Sequence, residues 1–467
     1  MSIYSYLDRH LFLPAADAVM SRGVSKEWRV MREAEGYSER QLMDFQNKRL
    51  QRLVHHCYDH VPYYRNLFDS LTLTPDDIRS REDLAKLPVL TKQLIRDHFD
   101  ELMADNISEY KVLNGSTGGS TGTPLKFKKE IGTWNMAWAS SFRAWEWYGY
   151  HLGEKMFTLG GNSLVKKSIS DSAKEVFDRV IMRNMKRSSA EVDDEAMRRH
   201  YEAFMHYKPV AMRGYASSLV IFARYIEKNK LPLHQLKLVL TTGEMLMPDY
   251  RDTIERVFNC KVYDAYGASD GGIAAHECLL QQGLHLSEER CVVEITDKEG
   301  HVLPDGQTGY VCATDLGNYA FPFLRYHVGD MAYIKPGKCA CGRVSRVLGQ
   351  VMGRAGRLLY NKQGVPLSPT MLPFMLYPEK DYHNPASIAV YNKIDRFQFR
   401  QDKNGDIRVL LKLKDSNEDQ SQFSYVIDNC QNHFVDSKVS LEFVDEIPLL
   451  PSGKEDYCVS EYEYKAQ

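Results

Sequence analysis

The segment LKLVLTTGE (236–244) is followed by a helical stretch at 248–258 and then by CKVYDAYGASD (260–270). Two short apolar runs separated by a stretch of helical period are typical of a strand–helix–strand unit whose strands run parallel. The same alternation occurs upstream, where KMFTLGG and AMRGY are interspersed with helical stretches at 191–207 and 217–229. We therefore predict an α/β fold centred on a mostly parallel sheet with crossover helices.

The regions on either side of this sheet have different patterns. Residues 1–110 are rich in helical periodicity, and Ser38 is a predicted N-cap of one of their helices. The stretch 131–150 is too aromatic for a surface and predicts a buried helix. After residue 283, short strand-like runs predict an antiparallel or barrel-like β-rich subdomain.

The chain has 467 residues, enough for more than one domain. We place a boundary near 353–357, which gives a large N-terminal domain with mixed sheets (1–353, core 111–353) and a small α+β C-terminal domain (354–467). In the smaller domain, SIAVYNKIDRFQFRQDKNGDIRVLLKLK predicts strands, and a helix is expected near 418–434. The overall class is α/β with an α+β C-terminal part.

Composition excludes several classes of partner. A net charge of −2 gives no electrostatic reason to bind nucleic acid or an anionic membrane. The sequence has no run of 18 apolar residues, so we expect no transmembrane helix. The N-terminus lacks the basic region of a signal peptide. Two interpretations of the N-terminal segment remain: a helix packed on the body of the protein, or a helix that touches a membrane surface. Nine scattered cysteines indicate a reducing compartment, so we expect a cytoplasmic protein.

The segment NGSTGGSTGTPLKFKK (114–129) combines glycines with hydroxyl side chains and has almost no apolar residue. Glycine amides and hydroxyl groups can wrap a polyphosphate, although a flexible linker would have a similar composition. The segment lacks the Gly-Lys-Ser/Thr ending of a Walker A motif, and Gly453–Lys454 does not supply one. By itself it leaves the linker and the phosphate-binding loop as alternatives.

Five further segments follow one another in a fixed order along the chain. They are LTTGE (240–244), VYDAYGASDGG (262–272), FLRYHVGD (323–330), GRAGRLL (353–359) and IPLLPSGKEDY (447–457). With the hydroxyl-rich loop, this series resembles the adenylate-forming superfamily of acyl-CoA synthetases and adenylating domains. VPYYRNLF, LAKLPVLTK and STGGSTGTPL are similar to the phenylacetate–CoA ligase branch, including relatives found with capsular-polysaccharide genes.

The resemblance implies an ATP-dependent, AMP-forming acid–thiol ligase with a mobile C-terminal lid domain. A carboxylic acid and ATP would give an acyl adenylate, which CoA would convert to a thioester, with Mg²⁺ as cofactor. A second hypothesis sends the acyl group to a sugar amine or another non-CoA acceptor in surface-polysaccharide assembly. A third is a non-enzymatic nucleotide-binding scaffold. The partners implied are a small carboxylic acid and ATP, without nucleic acid or stable membrane insertion, and the chain is either a monomer or a homodimer.

The resemblance also assigns residues to the nucleotide. The phosphates would be held by Thr117, Gly118, Gly119, Ser120, Thr121, Gly122 and Thr123. The adenine and ribose would be held by Thr242, Gly243, Glu244, Tyr266, Gly267, Asp330 and Arg354. Within that set, Tyr266 matches the tyrosine that stacks on adenine, and Asp330 matches the acceptor of the ribose hydroxyls.

Three residues match the family's catalytic positions. Ser269 would meet the α-phosphate, Asp270 would help to bind Mg²⁺, and Lys454 would bridge the carboxylate and the α-phosphate. A cation aimed at the charge that builds up in the transition state stabilises it by about 3–4 kcal/mol for a well-placed donor. Because the carboxylate is already ionised, no general base is needed.

Several residues depart from the family's pattern. Thr123 stands where a lysine is common, so charge on the phosphates must be neutralised by Mg²⁺ or by another cation. Asp270 is one methylene shorter than the usual glutamate. At the hinge, Gly356 and Arg357 replace the frequent pair of aspartates, which puts the second half-reaction in more doubt than the first.

Two questions remain open in the sequence. Cys278, His285, Cys339 and Cys341 could form a structural Zn²⁺ site, as in zinc-binding members of the same branch, or could be reduced cysteines, with His276 as a rival ligand. Flanking segments predict an acyl pocket that includes Trp134, Trp138, Tyr215 and Ala268. Core packing is the alternative for these aromatic side chains.

Overall fold

The computed structural model divides the chain into two compact units. The first contains Met1–Val328 and Ala332–Val351, and the second contains Gly329–Met331 and Met352–Gln467. The residues that the structure describes are 3–116, 125–160, 182–188, 194–351, 359–360, 362, 366–367, 372–378, 384–448 and 457–462. Within these ranges, no helix has both the length and the apolar character needed to cross a bilayer.

Helices dominate the start of the first unit and recur between its strands. They are α1 (Ile3–Leu7), α2 (Leu13–Met20), α3 (Val24–Ala34), α4 (Glu39–His60), α5 (Pro62–Ser70), α6 (Lys92–Asp97), α7 (Ile131–Trp147), α8 (Asp194–Tyr207), α9 (Ala216–Lys228) and α10 (Pro248–Phe258). The predicted helices at 191–207, 217–229 and 248–258 are confirmed as α8, α9 and α10. Leu13 of α2 packs in a core cluster with Trp28 of α3 and Phe142 of α7, so the N-terminal helices are attached to the body.

Helix α4 begins where the sequence predicts. Ser38 and Gln41 form a capping box, in which the Ser38 Oγ accepts from the Gln41 N–H at 3.3 Å and the Gln41 Oε1 accepts from the Ser38 N–H at 2.8 Å. This pairing satisfies N–H groups that the first turn of a helix leaves unbonded. Leu42 and Leu50 on the apolar stripe are buried, whereas Phe45 is half-buried.

Thirteen strands of the first unit fall within the described residues. They are β1 (Val112–Ser116), β2 (Lys126–Glu130), β3 (Met156–Gly160), β4 (Asn184–Ser188), β5 (Ala211–Gly214), β6 (Leu238–Thr242), β7 (Lys261–Ala268), β8 (Ile273–Glu277), β9 (Leu284–Leu286), β10 (Cys291–Thr296), β11 (Gly309–Asp315), β12 (Tyr326–Ala332) and β13 (Val347–Leu348). The last residues of β12 are grouped with the second unit. Strands β1 and β2 form an antiparallel hairpin.

The central sheet has eight strands in the order β13-β9-β8-β7-β6-β5-β3-β4. Strands β3 to β7 pair in parallel, and β8, β9 and β13 extend the sheet in antiparallel fashion. The predicted mostly parallel sheet with crossover helices is therefore confirmed. Strands β10, β11 and β12 form a separate three-stranded sheet, in which β10 and β11 are antiparallel. The β-rich subdomain predicted after residue 283 is confirmed, and of the two predicted arrangements the antiparallel one is found for β10 and β11.

The second unit has its own core. Its elements are β14 (Leu359–Tyr360), β15 (Pro366–Leu367), α11 (Pro385–Tyr391), β16 (Ile394–Gln401), β17 (Ile407–Leu413), α12 (Tyr425–Gln431), β18 (Val439–Phe443) and β19 (Cys458–Ser460). Its four-stranded sheet has the order β18-β17-β16-β19. Phe399, Leu411 and Val426 are fully buried between the sheet and the helix. Helix α12 lies within the range predicted near 418–434.

One secondary-structure prediction for this unit is wrong. The run SIAVY (387–391) was expected to be a strand, but it forms most of α11. Short apolar runs do not distinguish a strand from a buried helix by periodicity alone. The Asn384 Oδ1 accepts from the Ala386 N–H at 2.9 Å, and this local cap supports the helical conformation.

In the turn between β7 and β8, the backbone lies very close to the side chain of Asp315. Gly272 has φ +68°, and a Cβ built there would lie 2.3 Å from the Asp315 Cγ. Asp315, at the end of β11, also accepts hydrogen bonds from the Thr133 Oγ1 and from the Gly317 N–H. Three separate parts of the first unit therefore meet at this turn, and only glycine fits there.

We expect Gly272→Ala to lower the free energy of unfolding of the first unit by about 1–3 kcal/mol more than Gly149→Ala, measured by urea denaturation. Gly149 is the matched control because its φ is +80° but no atom lies within 4 Å of its built Cβ. The control substitution therefore measures the backbone cost alone, about 1–2 kcal/mol. Equal losses in the two variants would show that Asp315 does not restrict the turn.

Candidate active site

The carboxyl ends of β6 and β7 lie next to each other at one edge of the central sheet. In their parallel register Thr242 is opposite Ala265, so Tyr266 and Gly267 follow directly beside the end of β6. Gly243 has φ +77°, which allows the chain to turn away immediately after the strand. In open parallel sheets, ligands bind outside the carboxyl ends of the strands.

A cavity opens at this edge. Four residues predicted from the motifs line it, namely Thr242, Tyr266, Gly267 and Ser269. Helix α7 and the segment after it form another wall of the cavity with Trp145 and Tyr148, and the Tyr148 ring stacks on the Tyr263 ring at 3.9 Å between centroids. The structure thus brings together residues from two of the five motifs.

The predicted acyl residues are placed differently. Ala268 is buried in the core, and Trp134, Trp138 and Tyr215 are half-buried; none of the four lines this cavity. Trp138 nevertheless lies against Arg213, which does line it. The roles of these four residues stay predictions.

Asp270 and Asp330 belong to different compact units, Asp270 to the first and Asp330 to the second. The Asp270 carboxylate, in the turn after β7, accepts a hydrogen bond from the Tyr326 hydroxyl at 2.9 Å. Asp330 is half-buried on β12 and is grouped with the second unit. Glu244 is half-buried just after Gly243.

Other predicted residues lie outside the described part of the chain. They are Thr117 to Thr123 of the hydroxyl-rich loop, Arg354, Gly356 and Arg357 of the hinge, and Lys454. Their roles stay predictions. The hairpin from which the loop departs is described, and its strand ends are paired at Ser116 and Lys126.

Sequence reasoning missed a group of cations around the cavity. Lys129, Arg213 and Arg290 all line it. Burial is the main reason that the pKa of Lys129 falls to about 8, and the neighbouring Arg290 lowers it further. Arg290 is only 2% exposed; its Nη2 donates to the Thr133 Oγ1 at 3.4 Å, and its Nε has no partner among the described residues. Spacing could not reveal this group because its members come from different strands and loops.

His276 also lines the cavity. Burial lowers its pKa to about 3, and the charges of Arg143, Arg213 and Arg290 lower it further. The imidazole is therefore neutral at physiological pH. Its Nδ1 is buried and has no hydrogen-bond partner within the described ranges.

The Cys/His set is a separate cluster. The ligand atoms of Cys278, His285, Cys339 and Cys341 all lie within 4.8 Å of one another. The Cys278 and Cys339 sulfurs are 3.8 Å apart, and the Cys341 sulfur is 3.3 Å from the His285 Nε2. His285 rather than the rival His276 belongs to this cluster. Its Nδ1 contacts the Ser345 Oγ at 3.1 Å, which orients the ring.

Solved structures identify the class of fold. A crystal structure of 2-hydroxyisobutyryl-CoA ligase in the postadenylation state superposes with a TM-score of 0.68 and 18% identity, covering 89% of this chain and 88% of that protein. An anthranilate CoA ligase matches with a TM-score of 0.50 and 13% identity over 73% of this chain and 65% of that protein. The protein has the fold of adenylate-forming ligases, as the motifs predict.

Sequence comparison gives more specific relatives. A phenylacetate–coenzyme A ligase of Pseudomonas putida is 29% identical over 75% of this chain and 79% of that protein. Protein CapK of Staphylococcus aureus is 24% identical over 90% of this chain and 89% of that protein. Residues 384–461 match the family model of the CapK C-terminal domain. The chain is therefore a relative of the phenylacetate–CoA ligases and of CapK, and the predicted resemblance is confirmed.

We expect the Lys129 ammonium to lose its charge as the pH rises through about 8, because burial disfavours the charged form. In lysine-labelled protein, the ¹³Cε resonance that disappears in Lys129→Met should titrate near pH 8. Exposed lysines should titrate near 10.4. A Lys129 midpoint equal to that of the exposed lysines would contradict the burial of its charge.

Proposed function

We propose that this chain is an ATP-dependent, AMP-forming ligase that activates a carboxylic acid and transfers the acyl group to coenzyme A. The observation that carries the proposal is the cavity at the carboxyl edge of β6 and β7, where Thr242, Tyr266 and Ser269 meet a group of cations. The relatives named phenylacetate–coenzyme A ligase, similar over three quarters of the chain, support the same reaction.

The chemistry follows from charge. In the first step a carboxylate oxygen attacks the α-phosphorus of ATP, the bond to the leaving pyrophosphate breaks, and an acyl adenylate forms. Because both reactants are anions, fixed cations must offset their repulsion. Lys129 and Arg290 are charges of this sign at the cavity, and Lys129 is the candidate for the cation that Thr123 does not provide. In the second step the thiol sulfur of CoA attacks the acyl carbon, and AMP leaves.

The proposed positions of the nucleotide follow the motifs. Tyr266 offers a ring for the adenine at the end of β7, and Ser269 offers a hydroxyl in the next turn. Asp270 is the residue that would hold Mg²⁺, since a carboxylate oxygen is the donor that this ion prefers. The ion would neutralise charge on the phosphates, while the Tyr326 hydroxyl orients the carboxylate.

The second compact unit is our candidate for the lid domain. It contains Asp330 and the chain from Met352 onward, including the predicted catalytic Lys454. Its sheet and helices form an independent core, as a domain that moves between two half-reactions requires.

A second candidate function is transfer of the activated acyl group to a non-CoA acceptor such as a sugar amine. The supporting observation is that similarity to CapK covers 90% of this chain, compared with 75% for the Pseudomonas putida ligase. The match to the CapK C-terminal domain falls in the unit that would serve the second step.

Exchange of labelled pyrophosphate into ATP tests the first step over a panel of carboxylic acids. We expect at least one acid to support exchange and Lys454→Ala to reduce it by roughly 10²-fold or more while ATP binding is retained. Lys403→Ala is the matched control, because Lys403 is exposed in the same unit.

Adding CoA then separates the two candidates for the second step. Thioester formation supports the ligase, whereas exchange without a thioester favours the non-CoA acceptor. If no acid supports exchange, neither enzymatic function is correct.

The cysteine and histidine cluster is our candidate for a structural zinc site. Tetrahedral zinc bound to thiolates at ~2.3 Å places neighbouring sulfurs about 3.8 Å apart. The Cys278–Cys339 separation of 3.8 Å fits this geometry, and the four donors complete a closed site. Zinc would there join the β8–β9 segment to the loop before β13.

We expect about one zinc per chain by metal analysis, and none after Cys341→Ser. Chelation should lower the melting temperature by several degrees, because the metal ties together segments some 50–60 residues apart. Cys260→Ser is the control, since Cys260 is outside the cluster. A chelator-washed protein with no zinc and an unchanged melting temperature would show that the cysteines are simply reduced.

A further inference from the structure

Among the residues that the structure describes, the cavity contains a cation with no ionic partner. Arg213 of β5 lines the cavity, and its guanidinium lies 5.6 Å from the ring centroid of Trp138 and 5.7 Å from that of Trp145. In the described part of the chain, no carboxylate forms an ion pair with Arg213, and its guanidinium donates no hydrogen bond. A guanidinium has five N–H donors, and contacts with ring faces do not satisfy them.

The register of the sheet explains why Arg213 has no acidic partner among the described residues that line the cavity. Arg213 is opposite Leu240, and Leu240 is opposite Tyr263, so these three side chains share one face. Leu240 and Tyr263 pack with α7 on that face. Asp264, the one carboxylate among the described residues that line the cavity, follows Tyr263 and belongs to the opposite face, where its Oδ1 accepts from the Thr241 Oγ1 at 2.6 Å.

Arg213 is half-buried, and leaving it without an acidic partner among the described residues is costly to the protein. Burial lowers the pKa of Arg213, and within the described residues the opposing charge effect comes from Tyr215, not from an acidic side chain. A charge removed from water needs a partner of opposite sign to offset its desolvation. The same face of the sheet carries His276, opposite Ala265, with a buried and unpartnered Nδ1.

Arg213 also contacts a different part of α7 from Arg290, the other arginine that lines the cavity. Arg290 contacts Thr133 in the first turn of that helix, whereas Arg213 lies against Trp138 and Trp145. At 1.5 Å per residue, the two positions are separated by roughly 8–18 Å along the helix axis. The cavity therefore presents positive charge at two places, one beside Thr133 and Lys129 and the other beside Trp138 and Trp145.

We propose that the acid accepted by this cavity carries a second anionic group, such as a second carboxylate, which pairs with Arg213 while the reacting carboxylate lies near Lys129 and Arg290. The reaction of this acid rests on the proposed function, whereas its binding beside Arg213 does not. A carboxylate forms two parallel hydrogen bonds with a guanidinium, which makes the pairing both strong and selective.

Matched pairs of acids test the proposal in pyrophosphate exchange. The pairs are succinate and butyrate, adipate and hexanoate, suberate and octanoate, and terephthalate and 4-methylbenzoate. At least one dicarboxylate should be used with a kcat/KM at least tenfold above its monocarboxylate partner. Arg213→Gln should remove most of that preference, a loss of roughly 10²-fold for the dicarboxylate. Arg198→Gln, at an exposed arginine of α8, should leave it unchanged.

Binding without ATP separates this proposal from the proposed reaction. The dicarboxylate should raise the melting temperature of the wild-type chain and not that of Arg213→Gln, whether or not any acid supports exchange. Arg213→Met without ligand should unfold at a temperature equal to or above that of the wild type, which shows that the variants fold. Equal use or equal binding of the two members of every pair, or a dicarboxylate preference that survives in Arg213→Gln, would overturn the proposal.

Discussion

The contact of Gly272 with Asp315 is the constraint on which the candidate site depends. The turn that carries Ser269 and Asp270 can close only because no side chain separates the Gly272 backbone from the carboxylate. The same carboxylate accepts the hydroxyl of Thr133, which fixes the start of α7. One acidic side chain thus sets the positions of the turn after β7, the end of β11 and the helix that walls the cavity.

The electrostatics of the cavity follow from that arrangement. Lys129 and Arg290 lie beside the start of α7, and Arg213 lies further along it. Asp264 is the one carboxyl group among the described residues that line the cavity; burial raises its pKa to about 6, so it stays mostly ionised at neutral pH, but it belongs to the sheet face opposite Arg213 and is outnumbered by the cations. A cavity with excess positive charge and apolar walls attracts anionic ligands and excludes competing neutral ones. Two anions that must react with each other require such an environment.

Much of the fold could be predicted from local patterns. The helices α8, α9 and α10 follow from apolar spacing, and α4 begins at Ser38 because its hydroxyl and Gln41 form a capping box. SIAVY could not be assigned correctly, because four adjacent apolar residues suit a strand and a buried helix equally well. The cysteine cluster was predicted from the residue types together with the resemblance to zinc-binding members of the branch. Its choice of His285 over His276 required the register of β8 and β9, in which the two histidines are direct neighbours.

The sequence by itself determined the order of the motifs and the kinds of groups offered to the site: glycine where the backbone must turn, hydroxyls that we predict to bind phosphate, and a tyrosine at the end of a strand. Tertiary structure alone decided which charges have no partner in the part of the chain that the structure describes. Arg213 and Asp264 could pair only if their side chains were on the same face of the sheet. Their faces are set by the register of β5 and β7, which pair through β6 although they are some 50 residues apart in the chain. Local periodicity records which residues alternate along a strand, but the long-range register determines which of them face each other.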